Sequence, residues 1–292
     1  MRRAMALALV GVLAAAACGP PRRRRIVVGC KNFTEQVVLG ELLAQEIEAK
    51  TGLAVERRFY LAGSFICHQA ILAGRIDVYP EYTGTAMAAI LKQKPEGGAA
   101  RVYRRVKQDY ARRFGLAVGP PFGFNNSFAM VIRGDDAARL RLSNISQAVP
   151  YAARWRPGFG YEFMERPDGY AGFVKAYGIK FGAAPRIMEL GLLYRALQSH
   201  EVDLVAGNST DGLIDALHLT VLADDRGYFP PYQAVPIVSA QAVAAHPELM
   251  RVLNLLAGRI SDDEMRRMNY AVDGTHLDPA GVVRKFRQSK GL

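Results

Sequence analysis

Hydrophobic positions along the chain alternate between short apolar runs and a helical repeat. The run "IVVG" (Ile26–Gly29) is rich in branched apolar residues and is typical of a short buried strand. In the next segment, valine, leucine and isoleucine recur at helical spacing as far as Ile47, which predicts a helix. We predict Thr34 as its N-cap, with Glu35 favourable for the helix dipole, and Gly52 directly after its last turn.

The same alternation continues downstream. "AVERRFYL" from Ala54 predicts a second strand, and "SFICHQAILAGR" from Ser64 predicts a helix. "RIDVYP" predicts a third strand that stops at Pro80, because proline cannot donate to a sheet. Further helices are predicted over residues 83–91 and 101–114. Strands that alternate with helices predict an α/β architecture with a largely parallel sheet.

The third predicted strand is followed by a polar cluster. Residues 81–85, "EYTGT", combine a carboxylate, an aromatic ring, a glycine and two hydroxyls. Open α/β sheets bind ligands outside the carboxyl ends of their strands. We therefore predict that this strand end forms the floor of a ligand site.

An internal repeat organises the rest of the chain. The segment "QAILAGRIDVYPEYTG" from Gln69 resembles "RALQSHEVDLVAGNST" from Arg195 at a constant offset. This alignment pairs Tyr82 with Asn208 at the two strand ends. Only two positions are identical, so a chance resemblance remains the alternative. A true repeat predicts two lobes of similar build that share one cleft.

The lobe boundaries follow from two apolar, β-rich runs. We predict that "FAMVI" (Phe128–Ile132) and "AVPIV" (Ala234–Val238) cross between the lobes. The first lobe then comprises residues 26–128 and 239–292, and the second comprises residues 129–238. The prediction is a two-lobed clamp.

The first residues form a targeting signal rather than part of the fold. Arg2 and Arg3 precede the apolar run Ala4–Ala17, which is too short to span a bilayer comfortably and ends in small residues. The sequence "AAAACG" resembles a bacterial lipoprotein signal, which implies removal of residues 1–17 and lipidation of Cys18. Ala15 stands where leucine is usual, so a plain secretory signal is the alternative. Both interpretations predict an exported protein.

The positive charge is concentrated near the start of the chain. The formal net charge is +11, and six arginines precede residue 26, so the remainder carries about +5. The predicted basic tether, residues 18–25, is suited to anionic lipid headgroups. Nucleic acid is the other partner typical of a basic chain. We expect none, because the sequence has no aromatic-basic motif for it and an exported lipoprotein rarely meets it.

Motifs for catalysis, metals and cofactors are missing from the sequence. HExxH, GxSxG and a phosphate-binding glycine loop do not occur, and the five histidines lack the spacing of zinc ligands. We therefore expect no metal or other cofactor, and an exported enzyme is a disfavoured alternative. Cys30 and Cys67 are either bonded to each other or two buried free thiols.

Five segments together resemble the substrate-binding proteins of ABC transporters for osmoprotectant uptake: "GCKNFTEQVVLGELLA", "ICHQAILAGRIDVYPEYTGTA", "GYEFMERPDGY", "STDGLI" and "DDRGYFPPYQAVPIV". The likeness runs in order from about Ile26 to Leu292. Such proteins bind glycine betaine, choline, carnitine or proline betaine. The resemblance implies an α/β, type II periplasmic-binding-protein fold, with two lobes joined by two crossing strands and a ligand cleft between them.

The resemblance also implies a cage of tyrosines around a quaternary ammonium group, with basic and hydroxyl donors for the ligand carboxylate. Aromatic faces attract cations, although core packing is the commoner fate of such residues. The positions that match the family pattern are Lys31 and Gln36 in "KNFTEQ", Tyr82 and Thr85 in "EYTGT", Phe163 and Arg166 in "EFMERPDG", and Tyr232 in "FPPYQA".

Two positions depart from the family pattern. Phe128 stands where a tyrosine is usual, and it keeps an aromatic face. Asn208 stands where another cage tyrosine is expected, and it replaces a ring with an amide. Each cation–π wall is worth roughly 0.5 to 2 kcal/mol. The cleft is therefore predicted to hold a simple betaine weakly, or a larger zwitterion whose extra polar group bonds Asn208.

The resemblance implies a solute-binding lipoprotein of the periplasm or cell envelope. We expect a monomer, held at the membrane by lipid, that delivers a quaternary amine to an ABC transporter permease. A ligand sensor without transport is the alternative, in which a partner protein would supply the signalling domain.

Overall fold

The computed structural model describes residues 25–292, and two five-stranded sheets form its framework. The first sheet, in the order β2-β1-β3-β10-β4, contains β1 (Arg25–Gly29), β2 (Ala54–Arg58), β3 (Val78–Tyr82), β4 (Leu116–Val118) and β10 (Ala234–Ser239). The second, in the order β7-β6-β8-β5-β9, contains β5 (Phe128–Arg133), β6 (Pro157–Phe159), β7 (Arg186–Ile187), β8 (Leu204–Asn208) and β9 (Leu219–Leu222).

The two sheets have the same topology. In the first, β10 is antiparallel to both neighbours, and in the second β5 is antiparallel to both neighbours. The remaining pairings, β1 with β2 and β3, and β6 with β7 and β8, are parallel. The predicted α/β fold is thus confirmed, but both sheets are mixed rather than largely parallel, since half of the strand pairings are antiparallel.

Helices cover the faces of both sheets. Their bounds are α1 (Thr34–Thr51), α2 (Ser64–Leu72), α3 (Thr83–Thr85), α4 (Ala99–Phe114), α5 (Gly134–Leu140), α6 (Ile145–Ala148), α7 (Tyr161–Glu165), α8 (Tyr170–Tyr177), α9 (Leu190–Gln198), α10 (Leu213–Ala216), α11 (Ala240–Ala245), α12 (Glu248–Asn254), α13 (Asp262–Asp273) and α14 (Pro279–Lys290). A π-helical turn, Ala86–Ile90, extends α3. The apolar faces of α1, α13 and α14 share one core, in which Leu39, Met265 and Val283 are buried.

The start of α1 differs from the prediction by one residue. Phe33 occupies the N-cap position, and Thr34 is the first helical residue. The Thr34 hydroxyl donates instead to the Asp273 carboxylate of α13 at 2.5 Å, so it does not cap its own helix. Gly52 ends the helix in the left-handed conformation, as predicted.

The third strand continues past the predicted stop. β3 extends through Pro80 to Tyr82, with Pro80 opposite Pro236 of β10. The pairing of Tyr79 and Glu81 with β10 on either side keeps the strand in the sheet despite the missing donor. The polar cluster therefore begins within the strand rather than after it.

The predicted crossing strands were misplaced. Phe128–Ile132 and Ala234–Val238 lie wholly within β5 and β10, because branched apolar runs fit the buried centre of a sheet. The chain crosses instead in the irregular segments 119–127 and 223–233, where "GPP" and "FPP" disfavour a strand. The crossings lie side by side, joined by the Asn125–Gln233 bridge. The return to the first sheet thus precedes residue 239.

The structure confirms the internal repeat. The bounds of α2 and β3 in the first lobe coincide, at the predicted offset, with those of α9 and β8 in the second. Asp77 exchanges hydrogen bonds with the Val27 backbone, and Asp203 does the same with the Arg156 backbone. Equivalent aspartates therefore fix equivalent strands, which places Tyr82 and Asn208 at matching strand ends.

Several predictions concern the start of the chain. The leader, Cys18 and the tether as far as residue 24 lie outside the described residues. Within residues 25–292, no helix is both long and apolar enough to cross a membrane. Cys30 and Cys67 are buried free thiols, so the disulfide alternative is not formed. Burial raises the pKa of each thiol to about 12, which keeps both unreactive near neutral pH.

Candidate functional site

A small cavity of about 50 Å³ lies between the two sheets. Eight of the nine predicted binding residues line it: Lys31, Tyr82, Thr85, Phe128, Phe163, Arg166, Asn208 and Tyr232. The ninth, Gln36, is fully buried but does not line the cavity. Its side-chain oxygen Oε1 accepts a hydrogen bond from the Lys31 backbone amide at 3.4 Å, so Gln36 helps to position Lys31 without lining the cavity.

Lys31 lies directly against the first predicted cage wall. Its ammonium is 4.8 Å from the centre of the Tyr82 ring and 2.5 Å from the Glu81 carboxylate. The side chains of Lys31 and Glu81 are 2% and 0% exposed. A buried ammonium needs such a counter-charge, since an unpaired charge is very costly to bury. The Tyr82 ring therefore faces a cation that belongs to the protein.

Arg166 is the second buried cation of the cavity and, like Lys31, pairs with a carboxylate and lies beside an aromatic ring. Its guanidinium binds Asp168 in a bidentate manner, at 2.9 and 2.6 Å, and donates to the Thr85 hydroxyl at 2.9 Å. Its central carbon lies 4.9 Å from the Phe128 ring centre and 5.7 Å from that of Tyr232. Burial opposes the charge, but the bonds to Asp168 raise the pKa of Arg166 above its ordinary value. Arg166 thus joins the two lobes through Thr85.

Tyr232 is held by its hydroxyl as well as by its ring. The hydroxyl donates to Asp168 Oδ2 at 2.6 Å, the same oxygen that accepts from Arg166. Its ring meets that of Phe128 edge-on at 5.8 Å. A second edge-on contact joins Phe128 to Phe163 at 4.9 Å. The aromatic group is therefore continuous across the lobe interface.

Five further residues line the cavity that were not predicted from the sequence: Phe33, Asn126, Glu162, Leu190 and Ala206. Phe33 stacks with Tyr82 at 6.5 Å between ring centres. Phe33 lies in "KNFTEQ" and Glu162 in "GYEFMERPDGY", and Asn126 lies two residues before Phe128. Their closeness in sequence to predicted binding residues could therefore have indicated them.

Glu162 is a further carboxylate of the cavity lining, beyond those that pair with the two cations. It accepts from the Ser64 backbone amide of the first lobe at 2.6 Å and lies 3.9 Å from the Arg166 guanidinium. Burial alone would raise its pKa, but the charges of Lys31 and Arg166 and the Ser64 bond hold the pKa of Glu162 below its ordinary value. Glu162 is therefore an ionised carboxylate that bridges the lobes.

Asn208 stands at the boundary of a second cavity. It pairs in register with Phe128, and its side-chain amide forms no hydrogen bond with any described residue. The second cavity, of about 330 Å³, shares Phe33, Leu190 and Asn208 with the first. Asn208 thus lines both cavities, and its side-chain amide is available to bond a ligand in either one.

The arrangement is suited to binding a small zwitterion. Two buried cations can attract a carboxylate, while ring faces and Glu162 can attract an ammonium group. Among residues 25–292, no group of histidine, cysteine, aspartate or glutamate side chains could hold a metal ion. The described site thus offers charge and aromatic surface on both sides of an interlobe cleft.

Comparison with known proteins agrees with this geometry. Residues 24–289 match the family described as the substrate binding domain of ABC-type glycine betaine transport system. The carnitine transport binding protein OpuCC of Listeria monocytogenes is 34% identical over 272 residues, which cover 92% of this chain and 88% of that protein. The ergothioneine transport permease/ergothioneine binding protein EgtU of Helicobacter pylori is 32% identical over 272 residues, which cover 91% of this chain and 48% of that protein.

A solved structure shows the same fold at similar identity. The crystal structure described as a glycine betaine/carnitine/choline ABC transporter is 32% identical, with a TM-score of 0.76, and the match covers 91% of this chain and 98% of that one. The chain therefore belongs to the family of substrate-binding proteins of glycine betaine-type ABC transporters.

Proposed function

We propose that this chain binds a betaine-type quaternary ammonium solute outside the cytoplasm and delivers it to the permease of an ABC importer. The observation that carries the proposal is the pairing of Lys31 and Arg166 with aromatic rings in one interlobe cavity. Such a site can bind both ends of a zwitterion. Membership of a transport family supports the same function.

Ligand entry requires the lobes to separate. A cavity of about 50 Å³ has room for only a few water molecules, and bonds such as Arg166–Thr85 close it. The two crossings lie side by side, where a small change of backbone angles would open the cleft. The protein is therefore a clamp that closes over its solute.

Calorimetry tests the function. Glycine betaine, carnitine and choline are titrated into the wild-type protein and into Phe163→Ala. This variant lacks one of the aromatic rings that line the cavity. We expect binding of at least one of the three solutes, weaker in Phe163→Ala. Absence of heat for all three, and for longer betaines, would reject this ligand class.

We propose that the protein binds its solute without converting it chemically. Residues 25–292 show no nucleophile activated by a neighbouring base within the cavity, and the family is one of transport proteins. Incubation of the protein with each bound solute, followed by mass spectrometry, should return the solute unchanged. A time-dependent product would establish an enzyme instead.

Membrane attachment through Cys18 is part of the same proposal. The apolar leader that ends at Cys18 supports it, because it resembles a lipoprotein signal. We propose that the lipid holds the protein near its permease, with the arginines of the tether against anionic headgroups.

A larger zwitterion is the second candidate ligand. The free Asn208 amide and the adjoining cavity of about 330 Å³ favour it, since a longer ligand would extend past Asn208. One relative is named as an ergothioneine-binding protein. Competition between glycine betaine and ergothioneine separates the two candidates. A larger native ligand should bind more tightly than glycine betaine to the wild type and lose that advantage in Asn208→Tyr. Tighter binding of glycine betaine by the wild type, strengthened in Asn208→Tyr, would favour the simple betaine.

A further inference from the structure

Glu35 is a buried carboxylate that the ligand site does not use directly. It lies in the first turn of α1, is 1% exposed, and does not line the cavity. Within residues 25–292 it forms no ion pair with a lysine, arginine or histidine. Burying a carboxylate without a counter-cation is costly unless its oxygens accept several hydrogen bonds.

Four side chains supply those bonds. Oε1 accepts from the Tyr82 hydroxyl at 2.6 Å and from the Asn126 amide at 2.8 Å. Oε2 accepts from the Thr210 hydroxyl at 2.5 Å and from the Asn269 amide at 3.0 Å. Each oxygen thus has two donors, which suits an acceptor with four lone-pair sites.

The four donors come from separate parts of the fold. Tyr82 ends β3 in the first lobe, and its ring lines the ligand cavity. Asn126 lies in the first crossing, and Asn269 lies on α13. Thr210 follows β8 of the second sheet. One carboxylate therefore connects a cavity wall, a crossing and both lobes.

Thr210 is attached to the first lobe twice. Besides its hydroxyl bond to Glu35, its carbonyl oxygen accepts from the Asn269 amide at 2.9 Å. Its side chain is 0% exposed and does not line the ligand cavity. Separation of the lobes would break both bonds and leave Glu35 with fewer donors.

We infer that Glu35 is a positioning residue that couples the orientation of Tyr82 in the ligand cavity to closure of the second lobe through Thr210. In the closed arrangement, the Glu35–Tyr82 bond fixes the ring against the cavity, and the Glu35–Thr210 bond holds the lobes together. The link to ligand affinity rests on the proposed function, whereas the link to closure does not.

Substitutions at Thr210 test the coupling without touching the cavity. Thr210→Val keeps the shape of the side chain and removes the hydroxyl, whereas Thr210→Ser keeps the hydroxyl and is the matched control. A hydrogen bond to a charged group shifts an equilibrium roughly tenfold or more. We expect Thr210→Val to favour the open arrangement by about that factor, and Thr210→Ser to stay close to wild type.

The first measurement is residue-resolved hydrogen exchange on the ligand-free full chain. The Ser64 amide reports closure, because it donates across the interface to Glu162. The Asp77 amide reports only the integrity of the first sheet, because it donates to Val27. We expect faster exchange at Ser64 in Thr210→Val, with Asp77 unchanged. Equal Ser64 exchange in wild type and both variants would overturn the inference.

The second measurement is the dissociation rate of glycine betaine by stopped flow. We expect Thr210→Val to release it about tenfold faster, and Thr210→Ser to match wild type. If wild type binds no glycine betaine or other betaine, the proposed function fails, but the exchange experiment still decides the role of Glu35. If Val and Ser variants release ligand at the wild-type rate, Glu35 does not couple closure to binding.

Discussion

Replacement of Tyr232 by phenylalanine separates the two roles of this side chain. The ring contributes an aromatic face beside Arg166, and the hydroxyl contributes a 2.6 Å bond to Asp168. Phenylalanine keeps the first and removes the second. The bond is buried and its acceptor is charged, so its loss should lower the free energy of unfolding by about 1.5 to 3 kcal/mol.

Ligand affinity should respond much less than stability. Asp168 keeps both bonds to Arg166 in Tyr232→Phe, so the guanidinium stays in place. We expect the affinity for glycine betaine to change by less than about threefold, since the ring face survives. Tyr232→Ala removes the ring and should cost more affinity, by about 0.5 to 2 kcal/mol.

Urea unfolding and calorimetry measure the two quantities on the same preparations. If Tyr232→Phe unfolds at the same urea concentration as wild type, the hydroxyl bond to Asp168 contributes nothing to stability, contrary to this prediction. Equal losses of affinity in the phenylalanine and alanine variants would also contradict it. That result would mean that the hydroxyl, rather than the ring, carries binding.

Three further substitutions examine other parts of the protein. Arg166→Ala should weaken glycine betaine more than choline, which lacks a carboxylate; calorimetry giving the same loss for both would place the carboxylate elsewhere. Burial raises the pKa of Asp211 to about 7, above its unfolded value, so its ionisation destabilises the fold as pH rises from about 4 through 7. Asp211→Asn should therefore gain melting temperature relative to wild type between pH 5 and pH 8, and a constant difference across that range would contradict this. Cys18→Ala should release the protein from membranes in a fractionation experiment, and membrane retention would disprove the lipid anchor.

The sequence predicted the repeated architecture because both halves carry the same local pattern. The aspartate before each strand, Asp77 and Asp203, was visible in the alignment and has the same hydrogen-bond role in both lobes. The crossings were harder to place. Apolar runs predict strands equally well in the middle of a sheet and between two sheets, whereas the prolines of segments 119–127 and 223–233 marked the true crossings.

Eight of the nine predicted positions line one cavity, but the pairs that their side chains form were not predicted. Motif positions brought Lys31, Arg166 and the aromatic residues to one cavity. The pair of Lys31 with Glu81 was not predicted, because β3 was expected to stop at Pro80. The direction of the Glu81 side chain is set by the continuation of β3 through Pro80. Likewise, Glu35 was predicted only as a favourable charge at a helix start, because its four donors are distant in sequence.

The charges of the site explain why a zwitterion suits it. The pairs Lys31–Glu81 and Arg166–Asp168 are each neutral, and the partly exposed Glu162 carboxylate lies 3.9 Å from the Arg166 guanidinium. A ligand ammonium can balance Glu162, while the ligand carboxylate meets donors on the two cations. A zwitterion brings no net charge into the closed cleft, and uncompensated charge is expensive to bury. Lys31 and Arg166 already lie over the Tyr82 and Phe128 rings, so a ligand ammonium that used the same ring faces would have to displace these two side chains.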